Sequence, residues 1–291
     1  MDISIKKTVL QKLEEPLFNE KKIEVFVKRD DLIHPTVSGN KWRKLKYNLL
    51  EAQKQKQETL LSFGGAYSNH IYALAAAGKL FNFKTIGIIR GERTEPLNPV
   101  LAFAQENGMR LHYISRAAYR DKYNPDLIGE FKERFGRFYL VPEGGSNVLA
   151  VKGCIEIVDE IDIDFDYICT SCGTGGTLAG IITGLVGEKN ALGFSALKGG
   201  EFLKDDVTQL IKGYCGQTYS NWDIITDYHF GGYAKSKPAL LEFMKHFERN
   251  HKIPIEFIYT GKMFYGLYDL IKKDFFKPGE TIVALHTGGV R

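Results

Sequence analysis

Hydrophobic and polar positions along the chain switch repeatedly between two periods. Ile23, Val25 and Val27 recur every second residue, as in a strand. From residue 40 the repeat lengthens to that of a helix, with Trp42, Leu45, Leu49 and Ala52 on one stripe and Asn40 as the expected N-cap. Residues 59–63 read as a short buried strand ending at Gly64-Gly65, and 71–80 as an alanine-rich helix. Strands are predicted at 85–89, 109–114 and 138–141, with helices at 98–107, stopped by Gly108, and at 127–135. Beyond Gly144-Gly145 the pattern predicts helix 147–161, strand 166–170, helix 175–186, strand 191–197 and helix 201–212. A less regular stretch over 215–235 precedes helices 237–250 and 262–273 and a strand at 280–285.

Strands separated by helices of this length imply parallel sheets with helices on both faces. The predicted fold class is α/β, with two open, mainly parallel-sheet domains. The smaller is placed at 45–145, inserted into a larger one made of 1–44 and 146–291.

Composition changes this picture little. The 291 residues are 44% hydrophobic and 25% charged, which suits a globular enzyme-sized chain. The net charge of +4 is spread without blocks of one sign, so neither a nucleic acid nor a membrane surface is an expected partner. The start, Met1 to Lys7, lacks the apolar core of a signal peptide, and no apolar run is long enough to span a bilayer. A cytoplasmic protein is expected. Cys169 and Cys172 have CxxC spacing, which fits a redox pair or half a zinc site; no second pair completes a metal site, and the plainer expectation is two small buried side chains on a strand.

Candidate chemistry centres on two segments. Strand 166–170 runs into Gly173-Thr174-Gly175-Gly176-Thr177, and a helix follows. Strand, glycine turn and helix N-terminus make an anion site, because unpaired N–H groups converge there and the helix dipole favours negative charge. The loop lacks the lysine of a Walker motif, and Leu178 stands where a dinucleotide fingerprint needs glycine. Ser38-Gly39-Asn40 leads into Lys41 at a helix start, where an apolar setting lowers a lysine's pKa and frees its amine for imine formation and proton transfer. Lys44 and Lys46 read as solvated. A reactive lysine with a phosphate cradle points to pyridoxal 5'-phosphate and a small amino-acid substrate. Gly64-Gly65-Ala66-Tyr67-Ser68-Asn69-His70, between a strand and a helix, can grip a carboxylate, or can simply cap the helix.

These segments, with Lys28-Arg29-Asp30-Asp31-Leu32, Gly144-Gly145-Ser146-Asn147, Tyr259-Thr260-Gly261-Lys262 and His286-Thr287-Gly288-Gly289, resemble the fold type II (tryptophan synthase beta-like) pyridoxal-phosphate enzymes. More narrowly, the chain resembles the family of D-cysteine desulfhydrase and 1-aminocyclopropane-1-carboxylate deaminase. The resemblance implies that Lys41 binds the cofactor covalently and moves protons. It implies that Asn69 contacts the cofactor's ring hydroxyl and that Gly173, Thr174, Gly175, Gly176 and Thr177 hold its phosphate. Ser68, Asn69 and His70 would bind the substrate carboxylate, Tyr259 would act as a second acid/base, and Thr287 would face the ring nitrogen with Thr260 close by. A homodimer is implied too.

Deaminases of this family resemble one another in a glutamate after the tyrosine and a leucine in the C-terminal motif; this chain has Thr260 and Thr287 there. A carboxylate facing the ring nitrogen keeps it protonated and makes a strong electron sink, whereas a hydroxyl does so less well. The two threonines therefore point to β-elimination with a good leaving group: cysteine to pyruvate, ammonia and sulfide. Cyclopropane deamination, another fold type II activity such as a serine/threonine dehydratase or racemase, and a non-catalytic relative are the alternatives. Tyr67 and Trp42 depart from the family pattern and are expected to narrow the pocket. So is the segment after Gly289, shorter than in relatives, expected to alter its edge.

Overall fold

The computed structural model describes residues 8–289; the expectation about Met1 to Lys7 lies outside them. In chain order the elements are β1 (Leu10–Leu13), α1 (Pro16–Lys21), β2 (Glu24–Lys28), α2 (Asn40–Lys54), β3 (Thr59–Gly64), α3 (Asn69–Phe81) and β4 (Lys84–Arg90). Then come α4 (Pro99–Glu106), β5 (Met109–Ile114), α5 (Arg116–Arg120), α6 (Pro125–Phe135), β6 (Tyr139–Val141), α7 (Val148–Asp159) and β7 (Tyr167–Cys172). The remainder is α8 (Gly176–Leu185), β8 (Asn190–Ser195), α9 (Leu203–Cys215), β9 (Trp222–Ile225), α10 (Pro238–His251), α11 (Thr260–Lys272) and β10 (Thr281–Leu285).

Two sheets result, as the alternating pattern predicts. The smaller has strand order β5-β4-β3-β6 and is parallel throughout. The larger has order β1-β2-β10-β7-β8-β9; only the β1–β2 pair is antiparallel. β10 lies between β2 and β7, in register with both. Side chains of Ser68, Asn98, Ser115, Asn124 and Asn147 accept hydrogen bonds from the first turns of the helices they precede, so polar N-caps set several chain reversals. β1, α1, α5 and β9 were not foreseen; each is six residues or fewer.

Helix α2 is unbroken from Asn40 to Lys54, so a border at residue 45 runs through it. Its N-cap is Gly39, not Asn40. Gly39 has φ +62° and ψ −145°, and a Cβ there would lie 2.0 Å from the Thr287 carbonyl oxygen. Only glycine fits such a conformation and such an approach. Asn40 is released from capping and donates to Thr177 Oγ1 at 2.9 Å. Behind the turn, Arg43 reaches Asp30 (3.2 Å) and Glu160 (2.5 Å), and Lys28 reaches Glu160 (2.9 Å). Burial pushes the Glu160 carboxyl up, but Arg43 and Lys28 outweigh it and hold the pKa at about 2. The Asp30 carbonyl accepts the Gly39 N–H, so this charged cluster fixes where α2 begins.

Trp42 does not narrow a pocket: it is buried in the apolar layer over the smaller sheet, 6.0 Å from the Phe81 ring. Tyr67 is 55% exposed and stands outside the cavity described below. Cys169 and Cys172 are three apart on β7, so they face opposite sides and pack into different cores. No described helix is long and apolar enough to cross a membrane.

Candidate active site

A cavity of about 1080 Å³ opens where the loops after β3, β4, β6, β7 and β10 converge with the start of α2. Every one of those strands is parallel to its neighbours in its sheet, so its C-terminal end carries a loop free to bind ligand. Lys41, Ser68, Asn69, His70, Tyr259 and Thr287 all line this cavity. So does the whole turn Gly173, Thr174, Gly175, Gly176 and Thr177. Thr260 alone among the expected residues does not. It is fully buried, and its hydroxyl accepts from Glu256 N–H (3.0 Å) and donates to Glu256 Oε1 (3.2 Å).

The glycine turn has the geometry that an anion cradle requires. α8 starts at Gly176 after Gly175 in the left-handed region, and Thr174 Oγ1 lies 2.6 Å from Ser146 Oγ. A Cβ on Gly173 would meet the Tyr259 ring at 2.9 Å, so this glycine lets the turn and the tyrosine share one wall. The expectation that Lys44 is solvated is overturned. Lys44 is 2% exposed, lines the cavity, and donates from Nζ to Thr174 Oγ1 at 3.3 Å. Burial lowers its pKa to about 8. No carboxylate lies within ion-pair distance of it among the described residues. A buried lysine without a counter-ion, facing a helix N-terminus and hydroxyl donors, is what a phosphate dianion requires. The residues therefore fit pyridoxal phosphate. The signal was present in the sequence: Lys41 and Lys44 are three apart on one helix and share a face. Lys46 is different; it is partly exposed and paired with Glu156 at 2.6 Å.

On the other walls, Ser68 caps α3 by accepting from Ile71 N–H at 3.2 Å, which leaves its own hydroxyl hydrogen to donate. His70 Nε2 is 2.8 Å from Ser62 Oγ, and Nδ1 has no partner among the described residues. Burial, then Lys41 and Lys44, push its pKa well down, so the ring is neutral. Tyr259 packs edge-on against Tyr233, a residue the sequence did not single out, with ring centroids 6.0 Å apart. Burial, then Tyr233 and Glu256, hold the Tyr259 hydroxyl protonated well beyond its usual range. Lys262 pins the Tyr233 loop, donating to the carbonyls of Gly232 (2.7 Å) and Ala196 (3.3 Å). Thr287 Oγ1 lies 3.1 Å from Ser171 Oγ, a pair of hydroxyls on the cavity wall. Glu256 is committed elsewhere: it accepts the N–H groups of Ile258, Tyr259 and Thr260 at 2.6–2.9 Å.

Comparison with known proteins agrees with this geometry. A family model described as pyridoxal-phosphate dependent enzyme matches residues 2–288. An Arabidopsis thaliana protein named bifunctional D-cysteine desulfhydrase/1-aminocyclopropane-1-carboxylate deaminase, mitochondrial, is 33% identical over 294 residues, covering 92% of this chain and 72% of the relative. The D-cysteine desulfhydrase of Salmonella typhi is 26% identical over 294 residues, covering 91% and 87%. A crystal structure of an ACC deaminase homologue superposes with TM-score 0.87 at 28% identity, covering 100% of this chain and 91% of that one.

Proposed function

The chain belongs to the family of pyridoxal-phosphate-dependent enzymes, and we propose that within it this protein is a lyase releasing the β-substituent of a small amino acid. D-cysteine and one water would give pyruvate, ammonia and hydrogen sulfide. The observation that carries this reading is the Ser171–Thr287 hydroxyl pair on the cavity wall, with the Glu256 carboxylate spent on backbone N–H groups.

Lys44 and the turn 173–177 would hold the cofactor's phosphate, Asn69 its ring hydroxyl and Lys41 its aldehyde carbon. Bound there, the cofactor supplies an electron sink for charge developing at the substrate's α-carbon. The Ser68 hydroxyl and the N-terminus of α3 hold the substrate carboxylate. Lys41, at the first turn of α2, takes the α-proton. Tyr259, kept protonated by burial, donates a hydrogen bond to the departing sulfur. Thr287 would offer the ring nitrogen a hydroxyl and no charge, which would limit the sink and suit a leaving group that departs easily.

The Arabidopsis relative's name joins both activities, so cyclopropane opening is the second reading. Purified protein supplied with cofactor should release sulfide and pyruvate from D-cysteine faster than 2-oxobutanoate from 1-aminocyclopropane-1-carboxylate. The reverse order would remove the desulfhydrase reading.

A further inference from the structure

The cations in the cavity wall can be accounted for, with one exception. Lys41 and Lys44 serve the reaction and the phosphate. Lys122 Nζ lies 3.2 Å from Glu143 Oε2. Arg90, the last residue of β4, has no ion pair among the described residues. Its guanidinium rests over the Tyr119 ring at 5.6 Å. The acid nearby is already used, since Glu143 accepts the Tyr119 hydroxyl at 2.6 Å in addition to Lys122. A Cβ on Gly65 would lie 3.6 Å from Arg90 Nη2, so the guanidinium borders the turn that leads to Ser68 and Asn69. Its positive charge also acts on Tyr233, whose ring packs against Tyr259. The cavity of about 1080 Å³ leaves room for more than a thiol beside the cofactor.

We propose that Arg90 receives an oxyanion on the substrate's β-substituent, so that the enzyme takes amino acids whose leaving group is a phosphate or a similar oxyanion. This rests on the β-eliminating reading above. Lys41 takes the α-proton and the C–H electron pair becomes the Cα–Cβ double bond. The Cβ–O bond breaks and its electron pair leaves with the phosphate, into the guanidinium fork. One water then completes the conversion of O-phosphoserine to pyruvate, ammonia and phosphate. Arginine suits this task because its planar fork binds an oxyanion through two hydrogen bonds.

The test compares O-phosphoserine with serine, each as both enantiomers, on the holoenzyme, with D-cysteine as reference. Release of pyruvate and phosphate is measured, and binding is followed by the change in visible absorption. One enantiomer of O-phosphoserine should bind at least tenfold more tightly than its serine counterpart. R90Q should raise its KM at least tenfold more than it raises that of D-cysteine, and R90K should recover part of the loss. An unchanged KM ratio in R90Q, or no preference for the phosphate ester in the wild type, would overturn the role of Arg90. A holoenzyme that responds to none of these amino acids, D-cysteine included, would instead overturn the lyase reading.

Discussion

Replacing Lys44 by methionine should move two quantities in opposite directions. Burial lowers the lysine's pKa from 10.5 to about 8, which corresponds to about 3 kcal/mol against the folded, cofactor-free protein at neutral pH. The folded state holds this proton less tightly than the unfolded chain does. The cost is therefore complete below pH 8, shrinks between 8 and 10.5, and is gone above, so cofactor-free stability rises across that window. Methionine fills a similar volume without a charge and forfeits only the hydrogen bond to Thr174, worth about 1 kcal/mol. The K44M protein should thus gain about 2 kcal/mol at pH 7 when cofactor is absent. Cofactor affinity should move the other way. A charge-assisted hydrogen bond to phosphate contributes about 1.5–3 kcal/mol, so its loss should weaken binding about 10- to 150-fold. Urea unfolding of the cofactor-free proteins and titration with pyridoxal phosphate measure the two effects. Wild-type affinity should also fall as pH rises through about 8, while that of K44M should not. A K44M protein less stable without cofactor, or one that binds cofactor as the wild type does, would refute this account of Lys44.

Four further substitutions test the site. Lys41→Ala should cut turnover by at least about 10²–10⁴-fold, through loss of the proton acceptor, and should keep measurable cofactor affinity through Lys44 and the glycine turn; steady-state rates and equilibrium dialysis separate the two. Thr287→Ala removes one neutral hydrogen bond and should lower kcat about fivefold without releasing cofactor, as read from rates and the retained visible absorption. Gly39→Ala forces a Cβ to within 2.0 Å of the Thr287 carbonyl at φ +62° and should cost about 3 kcal/mol or more in chemical denaturation. Thr260→Glu, instead of creating a deaminase, sets a second carboxylate against Glu256 and should destabilise by about 3 kcal/mol or more, with a lower melting temperature and no gain in cyclopropane opening.

The long elements were legible because each repeats one period over enough residues to decide it. β3, β5, β7 and α11 lie within a few residues of their predicted spans. β1 and β9 were not legible. Each is a four-residue strand at an edge of the larger sheet, and half-buried positions blur its alternation. That the glycine turn joins β7 to α8 and that Lys41 opens α2 could be read because strand, glycine run and helical stripe follow one another in the sequence. Lys44 was misread since its fate depends on which face of α2 meets α8, and that is a matter of packing. Trp42 was misread for the same reason in reverse: its face of the helix meets the smaller sheet's core. Thr260 could be placed beside the cofactor only by assuming that chain neighbours share a wall. The helix start turns its hydroxyl onto Glu256 instead.

The position of β10 has a consequence for how the protein is made. Synthesis is vectorial, and the smaller sheet, built from residues 59 to 141, can assemble while the ribosome is still translating downstream segments. The larger sheet cannot. Until Leu285 has emerged, β2 and β7 each present an unpaired edge where the middle strand belongs. The turn that aims Lys41 also lacks the Thr287 carbonyl on which Gly39 closes. A nascent chain that stops short of β10 can therefore hold all four strands of the smaller sheet but not the middle of the larger one. A prematurely terminated product is left with two unpaired strand edges and without the carbonyl on which the Gly39 turn closes.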